Sequence, residues 1–309
     1  MSAQPVSPAR RARRWRTAAA VAVLLGVIAY LLVQYVTSGP GAPRCTVRVQ
    51  GDGDPYELSP EQAANAATIS AVAASRGLPE RAVTIALATA MQESGLRNIN
   101  FGDRDSVGLF QQRPSQDWGT VKEIMDPVYA SGEFYRHLVK VPGYSRLPLT
   151  VAAQKVQRSG YPQAYAKHEA NAALLTGALT GRSGDVLSCT VSHPVDGAGP
   201  DSAAKVRERL VREFGSGCCR GPGQRRAGAG GGPQPDRAGA ARRVRDGEQR
   251  RQQRGWQLAN WALAHAADLH IDRITYAGRT WTAADSDKGW QGPAGAGGAA
   301  DAVRIVTAQ

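Results

Sequence analysis

The stretch QESGLRNINFGDRDSVGLFQQ, residues 92–112, decides how the rest of the chain is read. Its first residues close a helix. The preceding PERAVTIALATAMQE places Val83, Ala86, Leu87, Ala90 and Met91 at helical spacing, so one face is apolar. Gly95 suits a left-handed cap and stops that helix. Glu93 falls seven residues after Ala86 and three after Ala90, and so projects from the buried stripe. A carboxyl there is partly desolvated and sits at the negative end of a helix, and both effects favour its neutral form. A carboxyl that keeps its proton near neutral pH is what a general acid requires. The polar loop Leu96–Val107 follows, then the short apolar element Gly108-Leu109-Phe110-Gln111.

Working outward, Ser59-Pro60-Glu61-Gln62 reads as a helix start: Ser59 as N-cap, Pro60 at the first helical position, and Gln62 three residues after the cap. That helix is expected to run to about Ser75 and stop at Gly77. Further helices are expected over Met125–Val139, within Leu149–Ala172, and over Asp201–Phe214.

An E-S pair at a helix end, a polar loop, and G-L-F-Q with Gly108 fifteen residues after Glu93 together resemble the lytic transglycosylases and goose-type lysozymes. Phe110 stands where that family has Met. Gly102, Asp105 and Ser106 occupy the places of the family's small loop residues. The later AAQKVQRSGYPQAYAK is loosely similar to the family's A-Y-N-A-G helix, with Val156, Gln157 and Arg158 near Tyr-Asn-Ala. The resemblance covers roughly residues 60–175. It implies a mainly α, lysozyme-like domain that cleaves peptidoglycan between N-acetylmuramic acid and N-acetylglucosamine. Glu93 would be catalytic, with Ser94, Gln111, Gln112 and Tyr161 binding substrate and Tyr165 as the other tyrosine candidate. No cofactor is implied. Asp103 and Asp105 are the loop's only acids, and are the candidates if a second carboxylate makes the enzyme a hydrolase. A non-catalytic wall-binding scaffold is the remaining reading.

The chain has 309 residues, 42% of them hydrophobic, and a formal charge of +12. The excess is local. Residues 1–16 carry five arginines and no acid, residues 215–254 carry a net +7, and the remainder is neutral. A nucleic-acid binder should put its charge on a folded surface, so that class is set aside. Thr17–Val36 is an uncharged run of twenty residues, long enough as a helix to cross about 30 Å of hydrocarbon. The arginines before it place the N-terminus in the cytoplasm and residues 38–309 outside a plasma membrane. Outside, Cys45 and Cys189 are expected to form a disulfide joining the two ends of the domain. The five histidines and four cysteines show no metal-ligand spacing.

The expected layout is therefore a basic tail (1–16), a transmembrane helix (17–36), a linker (37–58) and a lysozyme-like domain (59–195). A short helix with a disordered Gly/Arg-rich linker (196–254) and a small α/β accessory module (255–309) complete it. Within that module Ile271–Tyr276 and Val303–Val306 are expected as strands, with Trp256, Trp261, Trp281 and Trp290 as core.

Overall fold

In the computed structural model, the residues described are 8–38, 42–48, 54–192, 201–218, 237–292 and 302–308. The chain divides into two compact units, Met1–Ala42 and Pro43–Gln309. The first contains helix α1 (Pro8–Ser38), whose side chains from Val21 to Val33 are exposed. The expectation of a transmembrane helix is corrected here. Among the described residues, no helix is long and apolar enough to cross a membrane.

The second unit begins with strands β1 (Cys45–Val47) and β2 (Tyr56–Leu58), which lie in the stretch expected as a linker. Helix α2 (Pro60–Ser75) starts with the anticipated capping box. Ser59 Oγ accepts from the Gln62 amide at 3.2 Å, and Gln62 Oε1 accepts from the Ser59 amide at 2.8 Å. Helix α3 (Glu80–Ser94) follows. Ten consecutive residues, Ala82–Met91, are buried, so α3 is enclosed on all sides rather than along one stripe. Its small Ala and Thr residues allow that close approach.

Around these lie α4 (Val121–Ile124), α5 (Pro127–Leu138), α6 (Leu149–Gln157) and α7 (Glu169–Leu179). A 3-10 turn over Pro162–His168 links α6 to α7. Strand β3 (Leu187–Cys189) returns to pair antiparallel with β1, giving the order β2-β1-β3. Cys45 and Cys189 are register partners there and form the expected disulfide, 144 residues apart.

Helices α8 (Ser202–Phe214) and α9 (Arg237–Ala264) lead to β4 (Ile271–Tyr276), β5 (Arg279–Thr282) and β6 (Arg304–Thr307), ordered β5-β4-β6. Ala277 and Gly278, both at positive φ, make the two-residue β4–β5 turn, a conformation that matches the twist of an antiparallel pair. The expected disorder of 196–254 is corrected for its last part, because residues 237–254 are the first turns of α9. The rest of the Gly/Arg-rich stretch, 219–236, lies outside the described residues.

The small C-terminal module is also corrected. Residues of this stretch from Trp256 to Trp290, with Val303 and Ile305, share one hydrophobic core with the preceding helices. Trp281 Nε1 donates to the Cys189 carbonyl at 3.1 Å, and Trp290 Nε1 to that of Leu187 at 3.0 Å. Asn260 Nδ2 donates to the carbonyls of Ala178 and Gly184, both at 2.8 Å. About fifty residues cannot bury four tryptophans alone, so these side chains close over the first sheet instead.

Candidate active site

The end of α3 is fixed by its cap. Gly95, at φ 64°, donates to the Met91 carbonyl, and the Leu96 amide reaches that of Ala90. Two α2 side chains hold the turn from behind. Gln62 Nε2 donates to the Gly95 carbonyl at 2.7 Å, and Asn65 Nδ2 to the Leu96 carbonyl at 2.9 Å. Ser94 neither caps the helix nor touches Glu93. Its hydroxyl donates to the Leu109 carbonyl at 2.8 Å, fastening the G-L-F-Q element to α3 across fifteen residues. That fifteen-residue spacing is thus the span of one physical tie.

Glu93 presents its carboxyl at this junction. Tyr165, fully buried in the turn before α7, donates to Glu93 Oε1 at 2.6 Å. Gln157, at the end of α6, hydrogen-bonds the Glu93 carboxylate and donates from Nε2 to the Phe110 carbonyl at 2.7 Å. Burial raises the Glu93 pKa above the usual carboxylate range, while the hydrogen bonds from Tyr165 and Gln157 pull the other way. Burial and the neighbouring Glu93 charge hold the Tyr165 phenol protonated, so it acts as the donor. Tyr161, by contrast, is 81% exposed.

The remaining sequence candidates have other occupations. Gln111 Nε2 donates to the carbonyls of Phe101 (3.3 Å) and Gly108 (3.2 Å), and its Oε1 accepts from Ser106 Oγ at 3.1 Å, so its amide braces the loop. Gln112 is buried and donates to the Ala130 carbonyl at 3.0 Å, tying the loop to α5. Asp105 is a strut. It accepts from the Ser115 amide at 2.9 Å and from Arg113 Nε at 2.7 Å, and these bonds hold its pKa well below the usual range. The Asp103 side chain is 95% exposed. Gly108, at φ 79°, packs so closely that a Cβ would lie 2.9 Å from the Ile124 carbonyl oxygen.

A second polar cluster lies outside this site, and sequence reading missed it. Glu213 of α8 is buried. It accepts from Thr68 Oγ1 (3.0 Å), Trp261 Nε1 (2.7 Å) and Arg209 Nε (2.5 Å). His265, fully buried, has Nε2 3.8 Å from Glu213 Oε2, an ion-pair separation too long for a hydrogen bond, and Nδ1 3.2 Å from Asp268 Oδ2. Burial opposes protonation of His265, but Asp268 and Glu213 outweigh it and push its pKa up to about 9. The four-residue step from Trp261 to His265 on an apolar helix is the one trace of this cluster in the sequence.

Residues 200–303 match the family described as "VldE, C-terminal domain". No curated protein matches the chain. The matched region takes in Glu213, Trp261, His265 and Asp268, and begins well after the Glu93 segment. Among the described residues, no three His, Cys, Asp or Glu side chains converge as metal ligands.

Proposed function

We propose that the Glu93 centre cleaves the glycosidic bond between N-acetylmuramic acid and N-acetylglucosamine in peptidoglycan, by intramolecular transglycosylation. The observation that carries this reading is the single protonatable carboxyl, raised in pKa by burial and aimed by Tyr165, beside a loop whose acids are spent or solvent-facing. Glu93 gives its proton to the departing sugar oxygen as the bond to the muramyl C1 breaks. The muramyl C6 hydroxyl then attacks C1 and returns a proton to Glu93, leaving a 1,6-anhydro ring. An attacking group within the same sugar enjoys a large effective concentration, so no second carboxylate is required.

Backbone strain supports the choice of site. Among the described residues, seven that are not glycine have positive φ, and three of them lie in the segments that hold this site: Leu96 after α3, Gln111 in the G-L-F-Q element, and Arg158 directly after Gln157. Each costs on the order of 1–3 kcal/mol, and such strain gathers at functional sites. The disulfide supports an extracytoplasmic location, where this substrate lies.

Mass spectrometry of fragments released from purified wall material tests the reading. Wild type should release muropeptides one water lighter than hydrolytic products, and Glu93→Gln none. Reducing-end products whose release is lost in Asp103→Asn or Asp105→Asn would make the enzyme a hydrolase. Binding without cleavage would make it a scaffold.

A further inference from the structure

A cavity of about 300 Å³ opens where α2, the start of α3, the end of α7 and α9 meet. That volume lies at the lower end of the roughly 300–1,000 Å³ usual for small-molecule sites. The cavity is distinct from the Glu93 centre, because Glu80 in its wall and Glu93 stand at opposite ends of α3, about 20 Å apart at 1.5 Å per residue. Loose packing does not account for the space. Beside it, α9 presses so closely on the turn after α7 that a Cβ at Gly181 would overlap the Gln253 carbonyl, and one at Gly184 would lie 2.8 Å from the Trp256 indole.

The lining divides by element. Ala74, Leu78 and Val83, from α2, α3 and the turn between them, are apolar, whereas α9 contributes Arg250 and Arg254, four residues apart and so on one face. Arg250 is exposed and forms no hydrogen bond or ion pair among the described residues, although Arg251 beside it pairs with Glu248. The Arg254 guanidinium lies over the Phe214 ring, 4.5 Å from its centroid, and donates to Gln257 Oε1. Gln257, also in the lining, is only 7% exposed, and its amide NH2 has no partner among the described residues. A donor left unmade at that depth is costly, and a ligand that accepts from it removes the cost. Glu80, the acid in the wall, is already taken: Thr180 Oγ1 (3.1 Å) and Gln253 Nε2 (3.3 Å) donate to its Oε1, and Arg182 Nε donates to Oε2 at 2.9 Å. The like charges of Arg250 and Arg254 therefore repel across one turn of α9 with no vacant acid in the lining to offset them.

We propose that this cavity binds a small organic anion: a carboxylate or phosphate, held by Arg250, Arg254 and the Gln257 amide, on a compact apolar body that packs against Leu78 and Val83. An acid group accepts from charged donors, which makes the stronger class of hydrogen bond. Ala74 and Leu78 are half-buried, and covering them adds a hydrophobic contribution. A neutral molecule would leave the two arginines unrelieved, and a cation would meet a Glu80 whose oxygens are already engaged.

Calorimetric titration of the full chain with hexanoate, hexyl phosphate, hexanol and inorganic phosphate tests the proposal. Hexanoate, hexyl phosphate or both should bind and raise Tm, and the anion that binds names the acid group. Hexanol and inorganic phosphate, each lacking one half of the match, should bind about ten-fold more weakly. Arg250→Gln should lose about ten-fold in affinity for the anion with the unliganded Tm unchanged, since Arg250 has no partner among the described residues. Leu78→Trp should abolish binding by filling the cavity from its apolar wall, and if that variant does not fold, Arg250→Gln decides alone. Four results would each overturn the proposal: neither anion binds, hexanol binds as tightly as hexanoate, inorganic phosphate binds as tightly as hexyl phosphate, or binding is undiminished in Arg250→Gln. None of them bears on cleavage at Glu93, which stands or falls separately.

Discussion

The Tyr165 hydroxyl lies 2.6 Å from Glu93 Oε1, although 72 residues of chain separate them. A donor at that distance stabilises the carboxylate, while burial stabilises the acid. The balance lies above the usual carboxylate range, which suits the proposed role of giving a proton and taking one back.

The pH dependence of cleavage follows from that balance. The proposed cleavage requires protonated Glu93, so kcat/KM should fall as pH rises through its elevated pKa. Tyr165→Phe removes a bond that favours the ionised form, and should move this alkaline limb to higher pH while lowering kcat by roughly ten-fold or more. A limb that stays in place or moves to lower pH would show that Tyr165 does not tune Glu93.

Stability should record the same burial with opposite consequence. The unfolded chain ionises Glu93 at an ordinary pKa, whereas the folded one resists, so ionisation above that value works against the fold. Glu93→Gln is expected to be inactive yet to melt at a higher temperature than wild type at pH 8, the difference closing toward pH 4. Calorimetry at the two pH values checks both parts.

The Glu213–His265 pair should make stability fall at alkaline pH. Because the folded pKa of His265 is pushed up to about 9, above an unfolded value near 6.5, its contribution is full below the unfolded pKa. It is lost as pH rises through the folded one. Urea unfolding at pH 6 and pH 10 should show the loss, and His265→Gln should flatten it. Glu213→Ala breaks the buried pair from the other side and is expected to cost about 3–5 kcal/mol at pH 7.

The Cys45–Cys189 bond closes a separation of 144 residues, for which chain entropy alone gives about 5 kcal/mol. Cys45→Ser, or reduction of the wild type, should lower Tm markedly and expose Trp281, whose indole donates to the Cys189 carbonyl. A red shift of tryptophan emission on reduction would report it. An unchanged Tm would mean that β1 and β3 hold together through their backbone pairing alone.

The starts and stops of α2 and α3 were legible in the sequence because capping is local chemistry. Ser59 bonds Gln62 three residues on, and Gly95 needs no side-chain partner to turn left-handed. Glu93, Gly108 and the cysteine pair were legible by spacing and by pattern. The short strands β1, β2 and β3 were not, since three residues carry too little alternation to signal a strand, and each exists only where another covers its edge. The α/β module was read as separate because nothing in 255–309 shows that its tryptophans reach back to Leu187 and Cys189. Arginine-rich composition suggested disorder over residues 237–254, yet the stretch is the leading part of a helix whose apolar half is docked.

By itself the sequence determined where the helix that carries Glu93 ends and which two cysteines face each other. These depend on neighbours within a turn of helix or on residue types too scarce to have alternatives. Only the tertiary structure decided that Tyr165 rather than Tyr161 meets Glu93, that Gln111 braces its own loop, that Asp105 is a strut, and that Glu213 joins α8 to Thr68 of α2. Such contacts span up to 145 residues of chain. A hydrogen bond across that distance is specified by how whole helices pack, and packing is a property of all the buried surfaces together.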